Sequence, residues 1–186
     1  MAENLLRKIN AGLGFLYRQK DFLGFYERKL LCNALLSPFF DHCAPIWYHS
    51  INQATRTKLQ TAQNKIARFI FNRGPRASIT RSDFTTLNWF PVHERVKYLS
   101  LVMLFKIRNF GPLHLQSDFQ TIASRHDHNT RNCKYNLLLP NCRTNGQLSF
   151  LYRSIKYWND LPLDLKQARS LSCLKSKLRC HITSTL

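Results

Sequence analysis

Acidic residues are scarce in this sequence: ten Asp and Glu stand against 28 Lys and Arg among 186 residues. The ten acids are well separated, and no paired-carboxylate motif is present. A two-metal polymerase or nuclease site needs two or three carboxylates that converge, so only folding that joins distant acids would provide one. Only six glycines occur, and none belongs to a phosphate-cradling loop. The sequence therefore predicts no catalytic residues and no cofactor.

Long apolar runs, secretion signals and paired cysteines are also missing. No stretch of about 18 apolar residues exists, so no membrane-spanning helix is expected. The first ten residues, MAENLLRKIN, contain no apolar signal-peptide core, which predicts an intracellular protein, nuclear or cytoplasmic, that is not secreted. The six cysteines are scattered without a C-x-x-C motif, and we expect reduced and mostly buried thiols.

What is abundant is positive charge on a chain that can fold. The formal net charge is +18, while 44% of the residues are hydrophobic and 12% are aromatic, which is too apolar for a disordered tail. A charge of this size indicates a polyanionic partner, and it favours nucleic acid over a membrane surface or an acidic protein.

The periodicity of apolar residues predicts a mainly α-helical fold with at most a short strand. We expect a helical bundle over residues 1–74, followed by a second helical region over residues 75–186 with irregular loops. The basic, turn-rich segment at 74–83 is the candidate boundary. Helices are predicted at 26–40, 55–74, 91–109, 147–159 and 170–182, and a short strand or extended strap at 134–140. The first has its apolar stripe at Tyr26, Leu30, Leu31, Ala34 and Leu35, and the second is expected to begin at Thr55 as N-cap and to stop at Gly74-Pro75.

The clearest amphipathic helix, at 55–74, carries cations off its apolar stripe and continues into a basic link. Residues 55–82 contain no acid, whereas an ordinary solvated helix face normally mixes Asp and Glu among its cations. This pattern favours a surface that follows a phosphate backbone, with a solvated face as the alternative. The predicted nucleic-acid-binding residues are Lys58, Lys65, Arg68, Arg73, Arg76 and Arg81, with Arg153 and Lys156 as two further candidates nearer the C-terminus.

Four residues are predicted to be structural anchors: Trp47, Trp89, Trp158 and Pro162. Trp158 follows Leu148, Leu151 and Ile155 at helical spacing, so a core position is favoured over a platform for base stacking. We expect Asn159 to end that helix in a left-handed conformation, and Pro162 to prevent its continuation.

One group of residues resembles a metal site, but only weakly. His126, His128, Cys133 and Cys142 have a spacing that matches no common zinc pattern. A polar loop with one cysteine packed inside is the favoured interpretation, and we predict no metal site. A Cys/His nucleophile pair is no better supported, because no third group orients it.

Six sequence blocks, in order, resemble one known family: the C-terminal part of reverse transcriptases from LINE-type, jockey-like non-LTR retrotransposons. The resemblance covers almost the whole chain. The blocks are KINAGLGFLYRQKDFL (8–23), LLCNALLSPFFDHCAPIWY (30–48), KLQTAQNKIARFIFN (58–72), LNWFPVHERVKYLSLVMLFKIRNFGPLHL (87–115), HNTR (128–131) and SFLYRSIKYWNDLP (149–162).

The resemblance implies that residues 1–74 are a thumb, which grips a template–primer duplex, and that residues 75–186 form a post-polymerase region. The polymerase aspartate motif, the palm and the endonuclease have no counterpart here, so no catalytic residue is carried over. We therefore expect a non-catalytic fragment of an RNA-directed DNA polymerase that binds RNA, DNA or their hybrid. Two alternatives stay open: a structural, self-associating or decayed remnant with exposed apolar surface, or a chain that inherits reverse transcriptase activity by descent.

Overall fold

The chain is mainly helical, as predicted, in a computed structural model that describes residues 2–124 and 134–185. The α-helices in these two ranges are α1 (Ala2–Arg18), α2 (Phe25–Leu35), α3 (Ser37–Asp41), α4 (Ala44–Trp47), α5 (Gln53–Ile70), α6 (Arg81–Leu87), α7 (Val92–Phe110), α8 (Leu113–Gln116), α9 (Phe150–Asn159), α10 (Leu163–Lys166) and α11 (Leu171–Thr185). In the same ranges, β pairing is limited to one isolated antiparallel bridge between Thr121 and Leu137.

The chain folds as two compact units, Met1–Val96 and Lys97–Leu186. Helix α7 contributes to both cores, because Val92 and Val96 are buried in the first and Leu101 and Leu104 in the second. The link expected to separate the domains, residues 74–83, lies inside the first unit between α5 and α6.

The core of the first unit is built on α1 and α5, which run in parallel. Leu6 and Asn10 of α1 line the same groove as residues 57–65 of α5, and further along both helices the Tyr17 ring meets Phe69, with ring centroids 4.9 Å apart. The buried faces of the two helices, represented by Ile9 and Ile66, are almost completely removed from solvent. Burial of this kind supplies most of the stability of a short helical unit.

The segment after the basic link packs back onto the same core. Trp89 is buried, and its indole N–H donates to Asn33 Oδ1 at 2.9 Å. From α5, Gln63 Nε2 donates to the Phe90 carbonyl at 2.8 Å, and Gln60 Oε1 accepts from the Val92 N–H at 2.9 Å. These side chains satisfy backbone groups where the chain turns into α7, since buried polar groups need partners.

Helix α2 differs from the sequence prediction. The stripe expected to face the core includes Tyr26 and Leu30, which are 79% and 69% exposed, and the preceding Phe22 is 86% exposed. Cys32 is buried instead, together with Leu36 just after the helix. The helix also ends earlier than predicted, because Pro38 lies in the first turn of α3 rather than at the end of one long helix.

In the second unit, α9 holds an extended strap through two neighbouring side chains. Trp158 is 1% exposed, and its indole N–H donates to the Tyr135 carbonyl at 2.9 Å. Asn159 Oδ1 accepts from the Leu137 N–H at 2.8 Å, and Asn159 Nδ2 donates to the Leu137 carbonyl at 2.9 Å. The Asn159 amide therefore pairs with Leu137 as a neighbouring strand would, on the backbone groups that the bridge to Thr121 does not use.

One expectation about this region is wrong. Asn159 is the last helical residue of α9 rather than a left-handed terminator, and Asp160 follows it in the right-handed region. Pro162 is exposed and precedes α10 as its N-cap, so it acts through its backbone rather than through packing. Trp47 is only half-buried, and its indole N–H donates to the His42 carbonyl.

Across residues 2–124 and 134–185, none of the helices combines the length and the apolar character that a membrane crossing requires.

We expect Asn159→Ala to lower the free energy of unfolding by about 2–4 kcal/mol, because it leaves the buried N–H and C=O of Leu137 without partners. Denaturant unfolding followed by tryptophan fluorescence measures this change. Asn141→Ala removes an exposed amide and should change stability by less than about 0.5 kcal/mol. Equal stability of the two variants would contradict the role assigned to Asn159.

Candidate nucleic-acid interface

Helix α5 carries the centre of the predicted interface. Its apolar stripe is buried as predicted, at Leu59, Ala62, Ile66, Phe69 and Ile70. The helix begins after Asn52, whose Oδ1 accepts from the Thr55 N–H at 2.9 Å, so Asn52 and not the expected Thr55 is the N-cap. It ends before Gly74-Pro75, because Asn72 adopts a left-handed conformation with φ of 56°.

The carboxyl end of α5 is capped from another helix. Arg28 of α2 donates from Nη1 to the carbonyls of Phe69 and Ile70, at 3.2 and 3.4 Å. A cation at this position also opposes the negative end of the helix dipole. Arg28 therefore fixes the last turn of α5, where the basic link begins.

Lys58 and Lys65 are the two predicted residues whose side chains lie on the open face of α5. Together with Leu6 and Asn10 of α1 they line a groove of about 220 Å³. The hydroxyls of Thr57 and Thr61, which also line it, donate to backbone carbonyls one turn earlier, at 3.0 and 2.9 Å. The donors that this groove can offer to an anion are therefore the two ammonium groups and the Asn10 amide.

Arg68 and Arg73 face the link and stabilise it. Arg68 Nε donates to the Ala77 carbonyl at 2.6 Å. Arg73 forms two parallel 2.7 Å hydrogen bonds to Asp83, and its guanidinium lies 4.8 Å from the centre of the Phe71 ring. Both side chains are half-buried, so the structure uses these two predicted phosphate ligands to close the link.

Asp83 joins the link to α6. It is buried, and besides the Arg73 pair it accepts from the Thr80 N–H at 2.8 Å in a capping box at the start of α6. The hydrogen bonds from Arg73 and from Thr80 lower the pKa of the Asp83 carboxyl to about 2, against the opposing effect of burial. The same hydrogen bond raises the pKa of Arg73.

Arg76 and Arg81, the remaining candidates in this stretch, are exposed at the outer part of the link and at the start of α6. Arg153 and Lys156 lie on α9 in the second unit. Lys156 is exposed, whereas Arg153 is half-buried and its Nε has no hydrogen-bond partner among the described residues.

Internal ion pairs neutralise part of the negative charge of the first unit. Residues 1–96 hold 14 Lys and Arg and six Asp and Glu. Two of these acids are paired through double hydrogen bonds, Asp83 with Arg73 and Asp41 with Arg95. Because no acid occurs between Asp41 and Asp83, nothing in that sequence segment offsets the charge of Lys58, Lys65 and Arg76.

Sequence reasoning missed the contribution of α1. Asn10 and Leu6 form the second wall of the groove, although the sequence analysis placed no binding residue before position 58. No sequence pattern within α1 predicts this role, because the role depends on the parallel packing of α1 on α5.

The weak metal-like group cannot be assembled from the described residues. His126, His128 and Cys133 lie outside them, and the fourth member, Cys142, is half-buried. Within residues 2–124 and 134–185, no three His, Cys, Asp or Glu side chains are placed to hold a metal ion.

No protein-family model matches this chain, and neither a curated protein nor a solved structure gives a match.

The Arg73–Asp83 pair predicts an acid-sensitive step in the stability of the first unit. Because the folded-state pKa of Asp83 is about 2 and its ordinary value is 3.8, the stabilisation is present above about pH 4 and is lost as the pH falls towards 2. Asp83→Asn should be less stable than the wild type at pH 6, and the difference should shrink steadily between about pH 4 and pH 2.

Denaturant unfolding at a series of pH values measures this difference. Asp118→Asn, at an exposed position of the second unit, should show a constant and small difference over the same range. A difference between wild type and Asp83→Asn that does not change with pH would contradict the assignment.

Proposed function

We propose that this chain is a non-catalytic fragment of a LINE-type reverse transcriptase, its thumb and post-polymerase region, and that it binds the phosphate backbone of a template–primer duplex. The reverse transcriptase origin is supported by the six sequence blocks that resemble this family. Backbone binding is supported above all by Lys58 and Lys65, which project from one face of α5 into the α1–α5 groove.

The spacing of these two lysines fits a repeating polyanion. Seven residues of α-helix separate them, which corresponds to about 10 Å along the axis. That length covers about three base-pair steps of a duplex at 3.4 Å each. The ammonium groups and the Asn10 amide can contact phosphates without reading bases, so binding should be largely independent of sequence.

Arg76 and Arg81 would extend the interface from α5 along the link. Their positions depend on Arg68 and Arg73, which hold the link by hydrogen bonds to Ala77 and Asp83. The predicted binding set thus divides into residues that contact the backbone and residues that position them. Loss of a contact residue should affect binding alone, whereas loss of a positioning residue should also affect stability.

We expect Lys58→Gln/Lys65→Gln to weaken binding to an RNA–DNA hybrid and to reduce its salt dependence, because two fewer counterions are released. The slope of log K against log salt should decrease in magnitude by about 1.8 for two lost phosphate contacts. Fluorescence anisotropy titrations from low to moderate salt measure both quantities.

The matched control is Lys106→Gln/Arg169→Gln, which removes two exposed cations from the second unit. This double variant has the same net charge as the first, and its salt slope should stay close to that of the wild type. Equal effects of the two double variants would show that binding follows overall charge, and the groove assignment would then be wrong.

An exposed apolar row, formed by two residues of α2 and by Phe22 just before it, supports a second candidate function, self-association. Phe22, Tyr26 and Leu30 recur every fourth residue, and each is more than two-thirds exposed. Asp21 and Glu27, also exposed, lie beside this row. Because two copies with a net charge of +18 each repel one another, the apolar row and not charge would have to drive the contact.

Sedimentation velocity at increasing protein concentration tests the self-association. We expect the wild type to form dimers or larger species and Tyr26→Gln/Leu30→Gln to stay monomeric, because apolar surface no longer drives the contact. Leu163→Gln, a change at an exposed leucine of the second unit, should associate as the wild type does. A monomeric wild type would contradict this second function and leave nucleic-acid binding unaffected.

A further inference from the structure

Helix α1 borders a second cleft, on the flank opposite the α5 groove. The cleft has a volume of about 460 Å³. It is lined by Asn4, Leu5 and Lys8 from α1, by Pro38 and Phe39 from α3, and by His42, which follows α3. This volume is within the range of small-molecule sites, about 300–1,000 Å³.

The chemistry of the cleft is divided between an apolar floor and a polar rim. Leu5, Pro38 and the half-buried Phe39 supply apolar surface and an aromatic ring. Lys8 adds a cation, and His42 adds an imidazole. Arg7 donates to Asn4 Oδ1 at 2.9 Å, which leaves the Asn4 NH₂ group as the donor of that amide.

An aromatic ring beside an amide donor and a cation suits a nucleotide. Bases stack on aromatic side chains whatever their sequence, and an amide can hydrogen-bond to a base edge. Lys8 can contact the phosphate of the same nucleotide. The apolar cleft formed in the second unit by Lys106, Ile107, Phe110, Gly111 and Leu171 also has a lysine and an aromatic ring, but no amide or imidazole lines it, and it therefore fits this ligand less well.

The position of the cleft relative to the basic groove supports the same ligand. At 100° per residue, Leu6 and Asn10 lie on one flank of α1, while Asn4 and Lys8 lie on the other. The ridge between them is narrow, because it is one helix wide, and it carries the exposed residues Arg7, Ala11 and Gly14. Gly14 has no neighbouring atom within 4 Å of the place a Cβ would take, so this part of the ridge is open.

We propose that this cleft binds the unpaired base of a single-stranded nucleotide, with the base on Phe39 and its phosphate at Lys8. The inference rests on the proposed function, because the backbone of the same strand would reach the cleft from the α1–α5 groove. The chain would then contact a duplex through the groove and the adjoining single strand through the cleft.

The test uses the full chain and two probes: a single-stranded oligonucleotide with one 2-aminopurine base, and adenosine monophosphate. The wild type should quench the 2-aminopurine fluorescence, because the base stacks, and should bind the mononucleotide in calorimetric titration. Phe39→Leu keeps the apolar floor without the ring and should weaken mononucleotide binding by about tenfold. Lys8→Gln, an exposed change that does not threaten folding, should weaken it by a similar factor.

Duplex binding separates this inference from the proposed function. Phe39→Leu should bind a blunt RNA–DNA hybrid within about twofold of the wild type, and Lys58→Gln/Lys65→Gln should bind the mononucleotide as the wild type does. The cleft assignment is overturned if the wild type neither quenches the probe nor binds the mononucleotide, or if Lys8→Gln and Phe39→Leu bind it normally. If the wild type binds the mononucleotide but shows no salt-dependent binding to the duplex, the assignment of the groove is overturned instead.

Discussion

The doubly hydrogen-bonded ion pair between Arg73 and Asp83 is the constraint on which the candidate interface depends. Asp83 is buried, and an isolated buried carboxylate would be costly, so the guanidinium and the Thr80 N–H must stay in place. The Arg73–Asp83 pair closes the loop that runs from the end of α5 to the first turn of α6. The closed loop fixes the start of α6 through the capping box, and it keeps Arg76 exposed to solvent.

This constraint explains why cations of one sequence segment have different roles. No carboxylate near Lys58 and Lys65 in the sequence can neutralise them, because the stretch around them contains no acid. The hydroxyls of the neighbouring Thr57 and Thr61 already donate to backbone carbonyls. Arg68 and Arg73 instead reach carbonyls and a carboxylate with planar, multi-donor guanidinium groups, which suit fixed contacts better than a single ammonium does. Lys58 and Lys65 therefore supply open charge, whereas Arg68 and Arg73 supply structure.

Periodicity predicted the helical class, the buried stripe of α5 and the core position of Trp158, because these depend on local spacing. It failed at α2, where the apolar residues at helical spacing, Tyr26 and Leu30, are exposed: spacing locates a stripe without showing whether a partner covers it. The Asn10 wall of the groove depends on which helix packs beside α5, and a single sequence does not contain that pairing. The predicted ends of α5 were wrong by a few residues. Asn52, rather than Thr55, is the N-cap, and the left-handed Asn72, rather than Gly74, ends the helix.

The Trp-Asn pair at the end of α9 shows that a sequence marker can have a structural explanation that needs no ligand. Trp158 fills the core of the second unit, and its one polar atom is used by the Tyr135 carbonyl. Asn159 takes the place of a neighbouring strand for Leu137, and the buried Lys166 ammonium binds both the Asn159 carbonyl and the Asn136 side chain, at 2.7 and 2.8 Å. Because the indole N–H and both ends of the Asn159 amide are satisfied within the unit, they have no capacity left for nucleic acid. Any contribution of α9 to binding therefore comes from its outer face, where Lys156 is exposed.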